Sequence, residues 1–317
     1  MPEKVLIAHR FPKSQMVRLG QRFELIDPAG KKLNEAFSPE ELSAVRATIA
    51  AGGSRFGADM MDMLPKLGAI VCYGTGYDGV DLKAAAARNI AVGHSPGANA
   101  SSVADMALTL TLASVRRLLV ADGYIREGSW AALKPTPLMK AQFGMAGRKV
   151  GVYGMGEIGR RIAARVAAFE SEVGYFSRSR HDVPYSYFGS LEALADWCSV
   201  LIIAVRAGPE TNHIVNADIF RQLGEDGHVV NIARGSVIDQ QALVEALTSK
   251  TIAGAGLDVF AKEPQPPDAL TALPNVVLTP HTGGHTLESH VAMQDCVMAN
   301  LDAFFAGKPL PYAVKAG

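Results

Sequence analysis

The sequence predicts an α/β protein of two doubly wound parallel-sheet domains. Short β-rich runs alternate with helical patterns along most of the chain. The length, 317 residues, is about twice the ~150 expected of one domain. A glycine-rich turn joins one of the strands to an alanine- and arginine-rich helix, as in the first unit of a doubly wound sheet.

In the first block, Lys4-Val-Leu-Ile-Ala8 reads as a buried strand ending at His9-Arg10-Phe11-Pro12. Gly68-Ala-Ile-Val-Cys-Tyr73 is a second strand, followed by the loop Gly74-Thr-Gly-Tyr-Asp78. A short alanine-rich helix over 82–88 and a strand over 90–92 follow. This block lacks a phosphate-binding glycine motif. From 100 to 119, Val103, Met106, Ala107, Leu110 and Ala113 fall at helical spacing, with Arg116 and Arg117 in the last turns. The stretch 130–143 mixes proline with apolar residues and reads as an exposed arm.

Six further strands are expected at Lys149-Val-Gly-Val-Tyr153, Val173-Gly-Tyr-Phe176, Val200-Leu-Ile-Ile-Ala-Val205, His228-Val-Val-Asn-Ile232, Ile252-Ala-Gly-Ala-Gly-Leu257 and Val276-Val-Leu278. Helical segments at 156–169, 191–197, 217–223 and 240–247 connect most of them, which gives one doubly wound sheet. The segment 290–305 is amphipathic, with Val291, Val297, Leu301 and Phe304 apolar, and is expected to return onto the first domain.

Composition narrows the partners. Apolar residues make up 48% and charged residues 20%, which excludes a disordered chain. Lys and Arg total 31 and Asp and Glu total 31, so the net charge is zero and neither nucleic acid nor a membrane surface is an expected partner. Three distant cysteines without a C-x-x-C pair suit a reducing cytosol. The first apolar run is shorter than the roughly 7–15 residues of a secretory core, and no run reaches the ~18 of a membrane span. The expected location is cytoplasmic.

The glycine turn is Gly154, Met155, Gly156, Glu157, Ile158 and Gly159. In this strand–turn–helix setting, Gly154 would make the tight turn, Gly156 would let the backbone approach a pyrophosphate, and Gly159 would let helix and strand pack closely. The alternative is a purely structural turn. An NAD site places Asp or Glu about 20 residues on; here stand Ser177, Arg178, Ser179 and Arg180, with no acid until Asp182. Guanidinium groups and hydroxyls suit a 2′-phosphate, which points to NADP(H). The rival reading is a solvated basic loop.

Three motifs follow the later strands: Asn231-Ile-Ala-Arg234-Gly235-Ser-Val-Ile-Asp239, Gly256-Leu-Asp258-Val-Phe-Ala-Lys-Glu263-Pro264 and Thr279-Pro-His281-Thr-Gly-Gly284. With the glycine turn, they resemble the D-isomer-specific 2-hydroxyacid dehydrogenases over most of the chain. The segment Tyr175-Phe-Ser-Arg-Ser-Arg180 looks like the NADPH-dependent glyoxylate/hydroxypyruvate and hydroxyphenylpyruvate reductase branch, and 2-ketogluconate reductases are similar too. The resemblance implies a Rossmann NADP-binding domain, 100–286, inserted in a flavodoxin-like substrate domain, 1–99 and 287–317. It also implies a homodimer built through about 100–145.

The family's catalytic set lands on Arg234, Glu263 and His281, and its substrate-carboxylate loop on Gly74, Thr75 and Gly76. Beyond the glycine turn and the basic segment, the resemblance assigns cofactor contacts to Val103, Ala204, Val205, Arg206 and Thr211. It adds Ile232, Ala233, the nicotinamide-side Asp258, His281 and Gly284. The chemistry agrees. Reducing a 2-oxo acid needs a cation for the carboxylate, a hydride at C2 and a proton for the alkoxide. Arg234 offers a planar fork of donors. His281 can give the proton, and a carboxylate such as Glu263 would favour its cationic form.

Competing readings are weaker. His281 and His285 share an i,i+4 spacing, but Gly283 and Gly284 argue against a helix and the glutamate of a zinc motif is missing, so no metal is expected. Cys72 reads as a small buried strand residue rather than a nucleophile. Glu263 argues against the formate dehydrogenase branch, where glutamine partners the histidine. Ser177-Arg178 stands where NAD-dependent D-lactate dehydrogenases carry aspartate, and the end at Gly317 leaves no room for the regulatory extension of many phosphoglycerate dehydrogenases. The expected activity is NADPH-dependent reduction of small 2-oxo acids, with glyoxylate and hydroxypyruvate ahead of 2-ketogluconate and hydroxyphenylpyruvate. A rival of another class is a dinucleotide-sensing binding protein like the C-terminal-binding corepressors, which resemble the same fold but carry long flexible extensions.

Overall fold

The computed structural model describes residues 2–9, 11–136 and 143–314. The chain divides into two units, residues 1–99 with 285–317, and residues 100–284. Each is built on one all-parallel sheet with helices, so the predicted α/β class of two doubly wound sheets holds.

In the first unit the strands are β1 (Lys4–Ile7), β2 (Glu24–Ile26), β3 (Ala47–Ala51), β4 (Ala69–Tyr73) and β5 (Ala91–Gly93), in the order β2-β1-β3-β4-β5. This is the flavodoxin-like order. β4 is buried at every position and β3 at four of five, as expected of strands covered on both faces. The pairings Ile49↔Val71 and Val71↔Gly93 fix the centre of the sheet. β2 and β3 have no counterpart in the sequence reading: β2 is a three-residue edge strand, and the Ala-Thr-Ile-Ala-Ala of β3 lacks a strong β-branched signal.

The last helix, Leu287–Phe305, packs Met293, Val297 and Leu301 against Val5, Ile7, Ala69 and Val71, so the expected return onto the first sheet holds. Val291 is a correction: it was expected on the apolar face but stands 48% exposed. Phe304 packs at the edge of this core, and a Cβ on Gly68 would lie 2.8 Å from its ring.

In the second unit the strands are β6 (Lys149–Tyr153), β7 (Glu172–Phe176), β8 (Ser186–Tyr187), β9 (Val200–Ile203), β10 (His228–Asn231), β11 (Gly254–Leu257) and β12 (Val276–Leu278). They run in the order β12-β11-β10-β9-β6-β7-β8. All six predicted strands are present, and β8, a two-residue edge strand, is a seventh. The strand order reverses between β6 and β9, where a doubly wound sheet leaves its ligand crevice. Helices Glu157–Ala167, Leu191–Trp197, Ala217–Leu223 and Gln240–Thr248 connect the strands. Ser190, Asn216 and Asp239 cap three of them with side-chain oxygens.

The predicted helix over 100–119 is broken. Ala100–Val115 ends where Arg117 adopts a left-handed backbone (φ 47°), and a second helix, Leu118–Arg126, starts anew. Hydrophobic spacing alone did not reveal this corner, because apolar residues continue on both sides of it. The expected arm lies partly outside the described residues; within them, Trp130 and Leu133 are exposed. Among the described residues, no helix is long and apolar enough to cross a membrane.

Candidate active site

The glycine turn closes at the C-terminal end of β6. Gly154 has φ 102°, a conformation that favours glycine, and a Cβ there would lie 2.8 Å from the Ala204 carbonyl group and the Val205 nitrogen. A Cβ on Gly159 would lie 1.9 Å from the Gly154 oxygen. Gly156, the N-cap of the helix Glu157–Ala167, differs: nothing lies within 4 Å of where its Cβ would be. The outer two glycines thus serve packing, while the middle one leaves open space at a helix N-terminus, where backbone N–H groups favour an anion. Residues 154–159 therefore fit a dinucleotide pyrophosphate. Met155 is buried, and Glu157 pairs with Arg161 at 2.7 Å. Val103 is nearly buried on the neighbouring helix, within the same core as Met155 and Ile232.

The basic segment continues from β7 as a tight turn. Ser177 Oγ donates to the Ser179 carbonyl at 2.7 Å, and the buried Tyr175 hydroxyl accepts from the His181 N–H at 2.8 Å. Arg178 and Arg180 form no ion pair with a described residue, and neither does Asp182. The turn thus presents unneutralised guanidinium groups, as a doubly charged phosphate requires. After β9, Thr211 Oγ1 binds the carbonyls of Arg206 and Gly208 and accepts from the Gly208 N–H, so this hydroxyl shapes the Ala204–Thr211 loop.

The three later motifs converge. Arg234 follows β10 and is held by its backbone: the buried Asn231 amide donates to the Arg234 carbonyl at 2.9 Å, and its oxygen accepts from the Ala233 N–H at 3.0 Å. Gly235 is squeezed against the next loop, because a Cβ there would lie 1.9 Å from the Phe260 carbonyl carbon. That contact brings the Glu263 loop beside Arg234. Ile232 and Ala233 are nearly buried behind it.

Glu263 Oε2 lies 2.7 Å from His281 Nδ1, and Glu263 Oε1 accepts from the Phe260 N–H at 3.1 Å. A carboxylate can only accept, so the proton on this side sits on Nδ1 and Nε2 is the nitrogen left to face a substrate. Burial alone would raise the Glu263 pKa, but the His281 hydrogen bond and charge, the Phe260 N–H and the Arg234 guanidinium together hold it below the ordinary glutamate value. The His281 ring remains 43% exposed.

His281 itself has a left-handed backbone (φ 53°). Asp258, only 2% exposed, imposes it: its carboxylate accepts from Thr279 Oγ1 at 2.6 Å, the Thr282 N–H at 2.8 Å and the Gly283 N–H at 2.8 Å. Its carbonyl also accepts from the His281 N–H. Asp258 thus builds the turn that carries His281. Asn231 and Thr279 are the positioning residues that the sequence reading quoted within motifs without giving them a role. Gly284 closes the same loop. His281 lies in a turn and His285 ahead of the last helix, so the i,i+4 metal geometry does not arise.

The Gly74–Gly76 loop belongs to the first unit. Gly74 has φ 121°, and a Cβ on Gly52 would lie 1.7 Å from the Gly76 oxygen, so two glycine loops interlock. The Thr75 hydroxyl donates to Asn99 Oδ1 at 2.7 Å, and His94 Nδ1 meets the Thr75 carbonyl at 2.9 Å. The Thr75 and Gly76 N–H groups donate to no acceptor among the described residues, which suits them to an external anion. Cys72, just before this loop, is fully buried, and burial pushes its thiol up to about 12, which keeps it from acting as a nucleophile near neutral pH.

Residues 108–283 match the family profile of the D-isomer specific 2-hydroxyacid dehydrogenase NAD-binding domain. The chain is 37% identical to a hydroxyphenylpyruvate reductase of Plectranthus scutellarioides, covering 92% of each chain. It is 42% identical to a 2-ketogluconate reductase of Gluconobacter oxydans, over 84% of this chain and 85% of that one. Among solved structures, an NADPH-dependent glyoxylate/hydroxypyruvate reductase from Sinorhizobium meliloti in complex with NADP and malonate matches with a TM-score of 0.89 at 34% identity, over 99% of this chain and 97% of that one. These matches, together with the Arg234, Glu263 and His281 arrangement, establish that the chain is an oxidoreductase of the D-isomer-specific 2-hydroxyacid dehydrogenase family.

Proposed function

We propose that the protein is an NADPH-dependent reductase of small 2-oxo acids, with glyoxylate and hydroxypyruvate as its substrates and D-2-hydroxy acids as products. The observation that carries the reading is the 2.7 Å contact of His281 Nδ1 with Glu263, beside the half-buried Arg234. In this reading the first unit serves the substrate and the second the cofactor. The Thr75 and Gly76 N–H groups, on the Gly74–Gly76 loop, hold the substrate carboxylate. Arg234 holds carboxylate and carbonyl oxygens with its fork and polarises the carbonyl.

NADPH, when bound, would supply a hydride to C2. As negative charge develops on the carbonyl oxygen, the proton on His281 Nε2 passes to it, while Glu263 holds the opposite nitrogen and stabilises the imidazolium beforehand. Gly154–Gly159 would hold the pyrophosphate and Ser177–Arg180 the 2′-phosphate. The remaining cofactor contacts are assigned to Val103, Ala204, Val205, Arg206, Thr211, Ile232, Ala233, Asp258, His281 and Gly284.

A cytoplasmic homodimer completes the reading. The unpaired cysteines are consistent with a reducing compartment, and exposed Leu118, Leu119, Trp130 and Leu133 along the second helix and arm offer an apolar face to a second copy. A 2-ketogluconate substrate is the second reading, favoured by the 42% identity to that reductase. The test is NADPH oxidation against a panel of glyoxylate, hydroxypyruvate, 2-ketogluconate and hydroxyphenylpyruvate. Turnover is expected to be fastest with the two smallest acids. Faster turnover of 2-ketogluconate would move the assignment to it, and no turnover with any member would favour a dinucleotide-sensing protein.

A further inference from the structure

The helix Glu157–Ala167 carries three arginines with different partners. Arg161 lies 2.7 Å from Glu157 and Arg165 2.6 Å from Asp105, so both are neutralised by carboxylates. Arg160 is not: its guanidinium donates from Nη2 to His181 Nδ1 at 3.0 Å, and no described carboxylate lies within ion-pair distance. Arginine can only donate, so this imidazole accepts as a neutral ring with its proton on Nε2. The contact aims the guanidinium without cancelling its charge.

The anchor for this contact is buried. Tyr175 is fully buried in the second unit's core, and its hydroxyl grips His181 twice, accepting from its N–H at 2.8 Å and donating to its carbonyl at 3.0 Å. His181 directly follows Ser177–Arg180. The result is a third unneutralised cation drawn toward a turn that already holds Arg178 and Arg180. Like charges gathered this way repel one another, and an exposed contact to a neutral ring contributes little stability. An anion at the turn would give the arrangement a function.

We infer that Arg160 is a specificity-determining residue of the 2′-phosphate subsite, and that His181 positions it. The inference rests on the NADPH reading, and deepens it by placing one cation on the helix after the glycine turn rather than after β7. A planar guanidinium arriving from a second element adds donors that Arg178 and Arg180 cannot supply from one loop.

The test measures binding of 2′,5′-ADP and of 5′-AMP, which differ only in the 2′-phosphate, to the full-length protein and its variants. Arg160→Ala is expected to weaken 2′,5′-ADP about tenfold or more while changing 5′-AMP by less than about twofold. Arg160→Lys should recover part of the loss. His181→Ala should weaken 2′,5′-ADP less, and should raise the KM for NADPH more than it lowers kcat. Equal weakening of both nucleotides in Arg160→Ala, or no change in either, would overturn the inference. The underlying NADPH reading fails separately, if the unaltered protein binds the two nucleotides equally. A preference for 2′,5′-ADP that Arg178→Ala removes and Arg160→Ala leaves intact sinks only the role of Arg160.

Discussion

At the scale of single residues, under the proposed function the groups that would touch substrate are separate from those that hold them in place. His281 is left with one ring nitrogen for chemistry because Glu263 takes the other. His281→Ala is expected to lower kcat by roughly 10²–10⁴ with cofactor binding largely retained, since the proton donor is lost and the glycine turn is not. Glu263 is held below the ordinary glutamate range, so it stays ionised, and supports the imidazolium, to lower pH than a free carboxylate would. In Glu263→Gln that support is gone, and the fall of the reduction rate with rising pH should begin at lower pH. A pH–rate profile superimposable on the unaltered enzyme's would remove Glu263 from the mechanism. Arg234→Ala should lose substrate affinity and rate together, and Arg234→Lys should regain only part, because a point charge cannot reproduce the fork; steady-state kinetics with glyoxylate checks both.

At the scale of elements, the parts legible in the sequence were those with a periodic or chemical signature. Six of the seven strands of the second unit are apolar runs that the sequence marks, and the two-residue edge strand β8 is the one it does not. β3 was not marked either, because alanine favours neither strand nor turn strongly enough. The break at Arg117 was invisible because a left-handed corner needs no glycine when the following helix starts at once. Arg234, Glu263 and His281 were legible as motifs, and the resemblance implied that they act together, but what brings them together was not legible. Their convergence depends on Gly235, whose missing side chain lets the Phe260–Ala261 backbone lie against it. Gly235→Ala would push that backbone away, and Glu263 with it. A fall in kcat of at least tenfold is expected, with partial unfolding at lower denaturant concentration; unchanged kcat would mean that the loop tolerates the shift. The role of Asp258 in shaping the His281 turn was likewise hidden, since three backbone and hydroxyl donors from a later segment leave no trace in composition.

At the scale of the whole molecule, two all-parallel sheets are covered on both faces, and this forces an ionisable group into the interior. His228, at the start of β10, is 7% exposed and meets Ser114 Oγ at 2.9 Å. Burial, with the nearby Arg148 charge second, brings its pKa down to about 4 from 6.5. The folded state therefore binds this proton more weakly than the unfolded state. Its stability is complete above about pH 6.5 and is lost as pH falls toward 4. The expected loss in the second unit is about 2 kcal/mol at pH 5, from the 2.5-unit difference. Urea unfolding at pH 7.5 and 5 checks it, and His228→Gln should flatten the difference; an equal pH dependence in that variant would place the acid sensitivity elsewhere.

Under the proposed function, the second unit takes a phosphorylated dinucleotide. The most direct test is the ratio of kcat/KM for NADPH over NADH, measured with hydroxypyruvate in the unaltered protein and in Arg178→Ala. One well-placed charge-assisted hydrogen bond is worth on the order of 1.5–3 kcal/mol, and ~1.4 kcal/mol is tenfold. The ratio should therefore be at least about ten in the unaltered protein and fall toward one in the variant. Equal efficiencies with the two cofactors, or a ratio that the substitution leaves untouched, would contradict the account.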